Sequence, residues 1–130
     1  MSVTRSVEFF DTQFRRQVRD AEFAMNPFET VALPYARGGV LDYGCGSGIL
    51  GIAAAKLGAT DVLGVDIDDS ALTSAHDNAE RNGVTLRLRH SREALPERFD
   101  LVVANILTNP LCVLAPLLVD RIASGGRIAL

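Results

Sequence analysis

The chain has 130 residues, 48% of them hydrophobic and 22% charged, the balance of a folded protein large enough to bury one core. Its net charge of −3 gives no overall attraction to nucleic acid or to an anionic membrane surface. No apolar stretch approaches the ~18 residues of a membrane span, and Cys45 and Cys112 form neither a disulfide framework nor a metal-ligand spacing. With charged and polar residues from the start and no signal-peptide pattern, a cytoplasmic location without a metal is expected.

Residues 1–39 differ from the rest and are expected to form a helical N-terminal segment. Val7, Phe10, Phe14 and Val18 recur at spacings of three and four, the mark of an amphipathic helix. Asn26-Pro27-Phe28-Glu29 reads as a second helix start, with a capping residue, a proline in the first turn and an acid behind it. Gly38-Gly39 closes the segment.

From Val40 strands and helices alternate to the end of the chain. Val40-Leu41-Asp42 predicts a buried strand that runs into the turn Gly44-Cys45-Gly46-Ser47-Gly48. Ile49 to Leu57 predicts an alanine-rich helix stopped by Gly58. Val62 to Val65 predicts a second strand ending on Asp66, and Asp68 or Ser70 caps a helix that stops at Asn82-Gly83. Val84 to Leu88 predicts a third strand, with Arg87 and Arg89 marking an edge or a solvent-facing side. Phe99 to Ala104 predicts a central fourth strand. A leucine-rich helix starting at Asn109-Pro110 and ending at Gly125-Gly126 leads to a fifth strand, Arg127 to Leu130. Cys112 falls on an apolar face of that helix and reads as a packing residue, as does Cys45 between its glycines. The arginines at 87, 89, 92 and 98, interrupted by Glu93 and Glu97, read as a solvated face. Such alternation means parallel βαβ units, a Rossmann-like doubly wound α/β sheet over residues 40–130.

In a sheet of this kind the ligand sits at the carboxyl ends of the strands, where the strand order reverses. The glycine turn is therefore the candidate site, and two cofactors compete for it. Gly46-Ser47-Gly48-Ile49-Leu50-Gly51 satisfies the dinucleotide fingerprint G-x-G-x-x-G, with Asp66 near the ribose distance, so an NAD-dependent oxidoreductase is one reading. Asp42 argues against it, because its carboxylate would face a pyrophosphate with like charge. S-adenosylmethionine (SAM) brings a sulfonium and an ammonium instead, both attracted by Asp42. Asp66 can then accept from both ribose hydroxyls, and Ile67 can lie against the adenine. The plainer role for Asp66, capping the next helix, is already available to Asp68 and Asp69. His76 reads as a helix-surface residue and His90 as a loop residue.

Val40 to Gly48 resembles motif I of the class I SAM-dependent methyltransferases. Gly64-Val65-Asp66-Ile67-Asp68, Asp77 to Gly83 and Val102 to Leu107 resemble, more narrowly, the PrmA-like enzymes that methylate amino groups of a large-subunit ribosomal protein. The resemblance runs from Val40 to Leu130. It implies that Asp42, Gly44, Gly46 and Gly48 contact the methionine end, Asp66 the ribose, and Ser91 the adenine edge. It implies that Asn105, after the fourth strand, faces the transferred methyl as cofactor contact and catalytic residue; the plainer role of Asn105 is a turn-forming asparagine. The implied reaction is methyl transfer from SAM to an amino nitrogen, of a ribosomal or other protein, releasing S-adenosylhomocysteine (SAH). A SAM-binding module without turnover is the alternative. Two later strands of the superfamily sheet and the subfamily's recognition domain are not visible, so the sheet reads as truncated after strand five. The strand at Arg127 to Leu130 is then expected to offer an edge for self-association, or one covered by the phenylalanine-rich N-terminal helices.

Overall fold

The computed structural model describes residues 36–104, 106 and 108–129. The two helices expected before Gly38, together with Asn105, Leu107 and Leu130, lie outside the described residues.

The elements follow in the order β1 (Gly38–Tyr43), α1 (Ile49–Lys56), β2 (Ala59–Asp66), α2 (Asp69–Arg81), β3 (Arg87–His90), β4 (Phe99–Val103), α3 (Thr108–Asp120) and β5 (Ile122–Ala129). The strands form one sheet in the order β3-β2-β1-β4-β5. Every pairing is parallel. The chain runs outward from β1 to β3, then returns to the other side of β1 for β4 and β5. The order therefore reverses beside β1, and the turn after β1 opens at that point.

Side chains alternate across the sheet, so β1, β2, β4 and β5 each feed two cores. Val40, Val62, Leu101 and Val103 pack with Ile52, Ala53 and Ala54 of α1 and Ala79 of α2. Leu41, Leu63, Val65, Phe99 and Val102 pack on the other face with Leu118 of α3. Burying each such large apolar side chain is worth ~1.5–3 kcal/mol.

Capping residues set the helix ends. Asp68, not Ser70, caps α2, its Oδ1 accepting from Ser70 N at 2.9 Å. At the other end Gly83 takes φ +68°, Gly83 N donates to Glu80 O and Val84 N to Ala79 O. This is a Schellman closure, and it ties Val84 back onto the helix. Leu86 then turns inward, and β3 begins at Arg87 rather than at the expected Val84. Of the two expected placements, an edge or a solvent-facing side, the edge is the one seen among the described residues.

Two other boundaries differ from expectation. β1 starts at Gly38, so the expected division at Val40 falls inside the strand. α3 ends at Asp120, and Gly125-Gly126 is no helix stop but part of β5. Phe99 pairs with Ile122 and Leu101 with Arg127, so one residue of β4 stands opposite four of β5. The excess is taken up by a bulge at which Gly125 has φ +78°. A Cβ on Gly126 would lie 2.8 Å from Ile122 Cγ2 and 2.9 Å from Asp100 O, so the glycine there serves close backbone approach.

Cys112 also departs from its expected packing role. The apolar face of α3 that meets the sheet is Leu111, Leu114 and Leu118, which leaves Cys112 exposed with Val113. Arg87 binds Asp61 through two hydrogen bonds of 2.8 and 2.7 Å, and Arg89 binds Glu97 through two of 2.8 Å. The run is thus laced with ion pairs, solvated at Arg87 and Arg98 and largely covered at Arg89.

Candidate cofactor site

The turn after β1 folds over the end of β2. Gly44 N and Cys45 N both donate to Val65 O, at 2.7 and 3.0 Å. Gly46 N donates to Asp66 Oδ2 at 2.9 Å. Gly48 N returns to Cys45 O at 2.9 Å, and α1 begins at the next residue.

The three glycines of the turn have φ of +75°, +53° and +84° at Gly44, Gly46 and Gly48, a region that strains any other residue. Their surroundings differ. A Cβ on Gly44 would come within 2.3 Å of Ile106 Cγ2. A Cβ on Gly48 would press on Ala75 Cβ at 3.0 Å and Leu86 Cδ1 at 3.3 Å. Gly48 is therefore a packing glycine between α1 and α2. Among the described residues no atom beyond its chain neighbours lies within 4 Å of the missing Cβ of Gly46, so there this glycine faces space that a ligand can approach closely.

Asp42 departs from the expected placement. The strand period puts it on the same face as Val40, beneath α1, and only 2% of it is exposed. Its Oδ2 accepts from Gly51 N, in the first turn of α1, at 3.1 Å. The carboxylate thus lies under the turn rather than open in the crevice. Burial pushes its pKa up to about 7; the Gly51 hydrogen bond opposes the rise and the Asp66 charge adds to it. Cys45 is buried beside it, and its thiol is pushed far above the ordinary range by burial and then by the charges of Asp42 and Asp66. That thiol is a packing group, as expected, and no nucleophile.

Asp66 ends β2 with both carboxylate oxygens in use: Oδ2 accepts from Gly46 N and Oδ1 from Asp68 N, each at 2.9 Å. A carboxylate oxygen has two acceptor positions, and among the described residues each of these oxygens accepts one hydrogen bond. Ile67 follows with 77% of its surface exposed, an apolar side chain held out at the strand ends. Ser91 N donates to Asp66 O at 2.9 Å, which brings the residue after β3 to the same corner. The structure therefore gathers the glycine turn, Asp66, Ile67 and Ser91 at one end of the sheet, with Asp42 beneath.

One residue of this site had no role assigned from the sequence. Asn78 of α2 is buried, and its Nδ2 donates to Ser47 O in the turn at 3.0 Å. The available signal was a lone amide on the small apolar stripe Ala75, Asn78, Ala79. His76, by contrast, is exposed as expected, with Nε2 3.4 Å from Glu80 Oε1.

A parallel sheet in this order, with a glycine turn after β1 and an acid ending β2, is the class I methyltransferase fold. A family model described as ribosomal protein L11 methyltransferase (PrmA) matches residues 22–130, and the chain belongs to that family. Among curated relatives, the ribosomal protein L11 methyltransferase of Dechloromonas aromatica (strain RCB) is 58% identical over 91 residues, covering 70% of this chain and 31% of the relative. That of Thiobacillus denitrificans (strain ATCC 25259 / T1) is 56% identical over 96 residues, with 72% and 32% covered. The chain thus spans about a third of the length of these relatives. The crystal structure of a ribosomal protein L11 methylase from Lactobacillus delbrueckii subsp. bulgaricus aligns with TM-score 0.62 and 42% identity, over 69% of this chain and 48% of that one. A SAM-dependent methyltransferase from Clostridium acetobutylicum ATCC 824 aligns with TM-score 0.67 over 96% of this chain and 55% of its own, at 17% identity, a likeness of fold alone.

Proposed function

We propose that this chain carries the SAM site of a methyltransferase that acts on an amino nitrogen of a protein, a ribosomal protein as in the names of its relatives. The observation that carries this reading is the pairing of Gly46, open among the described residues, with Asp66, whose two oxygens each accept one hydrogen bond there. The open side of Gly46 admits the methionine portion against the backbone. Asp66 accepts from the two ribose hydroxyls, Ile67 covers an adenine face, and Ser91 borders its edge. Asp42, below the turn, supplies negative charge toward the cationic end, and such a ligand in turn favours its ionised form. The dinucleotide reading loses its ground, because the same fingerprint belongs here to a methyltransferase family.

When bound, SAM supplies a methyl carbon already activated by its sulfonium. The chain's own work is alignment and exclusion of water, which can lower a barrier by ~7–11 kcal/mol. Asn105 is proposed to accept a hydrogen bond from the acceptor amine and to aim its lone pair at the methyl. A ribosomal acceptor implies a cytoplasmic setting, and among the described residues no helix is long and apolar enough to cross a membrane. Two copies of this polypeptide pairing along the outer edge of β5 would give concentration-dependent light scattering, and a monomer at every concentration removes that contact.

The test of the reaction is SAH release on mixing SAM with a ribosomal protein L11. Turnover that Asn105→Ala abolishes, with SAM affinity kept, supports the full reading. Binding without turnover reduces it to a cofactor-holding module. Parallel loss of affinity and turnover in the variant makes Asn105 a cofactor or folding residue.

A further inference from the structure

We propose that Asn78 is a positioning residue for the cofactor turn, acting from α2 on the carbonyl of Ser47; the proposal rests on the reading of that turn as the SAM site. The buried stripe of α2 is Ala75, Asn78 and Ala79, and Asn78 is its one polar member. A primary amide is costly in such a place unless it is hydrogen-bonded, and an alanine or leucine would serve packing alone. The amide is spent on a single backbone group 31 residues away, Ser47 O at 3.0 Å.

That group lies where the chain most needs outside help. Ser47 stands between Gly46 and Gly48, both at positive φ, so the peptides on either side are those that side-chain sterics restrain least. Holding the Ser47 carbonyl sets the plane of the Ser47–Gly48 peptide, and with it the N–H that Gly48 returns to Cys45 O. The same helix grips the next residue, since Ala75 lies against Gly48 with no room for a Cβ. α2 also begins at the Asp68 cap, whose N–H holds Asp66 Oδ1. One rigid helix therefore fixes both the ribose carboxylate and the turn proposed to hold the methionine end. Asn82 Nδ2 donates to Asn78 O at 2.7 Å and secures the last turn of α2 without touching the glycine turn through that bond.

Asn78→Ala removes the donor, and Asn78→Asp keeps the shape but sets an acceptor against the Ser47 carbonyl. Asn82→Ala is the control for general loosening of the helix. SAH affinity by calorimetry, amide exchange at Gly46 and Gly48, and Tm are measured for all three. We expect both Asn78 variants to bind SAH about tenfold more weakly, Asp the worse, with faster exchange at the two glycines. Asn82→Ala should lower Tm and leave affinity within about twofold. The proposal is overturned if the Asn78 variants match the unaltered chain in affinity and exchange, or if Asn82→Ala loses as much affinity as they do. If the unaltered chain binds no SAH, the cofactor reading fails by itself. Faster glycine exchange in the Asn78 variants would still uphold the positioning role.

Discussion

Replacing Asp42 with asparagine separates what its charge does for a ligand from what it does to the fold. Asparagine keeps an oxygen for Gly51 N–H and nearly the same volume, and removes the titration. Because burial raises the folded carboxyl from 3.8 to about 7, the folded chain holds a proton there that the unfolded chain releases. The contribution to stability is full below about pH 4 and is lost as pH rises to about 7, then stays flat. Each pKa unit is worth ~1.4 kcal/mol, so the rise sets an upper bound near ~4 kcal/mol. Urea denaturation of both proteins between about pH 4 and about pH 8 reads this directly. The variant should be the more stable at the alkaline end, by no more than that bound, with the difference closing toward the acid end. Its SAM affinity should fall, since the charge below the turn is gone. Parallel pH profiles for the two proteins, or a variant less stable at the alkaline end, would mean that burial does not raise the Asp42 carboxyl.

Alanine at the glycines of the turn should divide folding from binding. Gly48→Ala meets both strain at φ +84° and the Ala75 methyl, and should lose ~1–3 kcal/mol of stability. Gly46→Ala, with open space around it, should lose less, yet hinder SAH; equal thermal shifts in the two variants would count against this division. Glu97→Gln probes the acid side. The paired hydrogen bonds of Arg89 hold the Glu97 carboxyl down at about 2, so its contribution is present above the ordinary carboxylate range and lost as pH falls through about 2. With a third of that side chain exposed, the loss near neutral pH should be ~1 kcal/mol or less and vanish in strong acid, as denaturant titrations would show.

Most of what is encoded locally could be read from the sequence. The stops at Gly58 and Asn82-Gly83, the glycine turn and the acid ending β2 each depend on a few neighbouring residues and stand where expected, and the cap of α2 falls on Asp68, one of its two candidates. The misplaced boundaries have two causes. Val84 is drawn away from β3 by the carbonyl of Ala79, a local bond of the same helix closure, whereas the Gly125-Gly126 pair is absorbed into β5 because β4 lies alongside. The position of Asp42 was within reach, since period two puts it on the face of Val40, under α1. Asn78 was out of reach, because its partner stands on a loop 31 residues earlier.

Calorimetry of this chain with SAH and with NAD tests whether the glycine turn and Asp66 hold SAM. SAH should bind and NAD give no heat, and Asp66→Ala should weaken SAH by ~1.5–3 kcal/mol, the range for hydrogen bonds to a charged group. Binding of NAD in place of SAH, or an SAH affinity untouched by Asp66→Ala, would mean that the turn and Asp66 do not hold SAM.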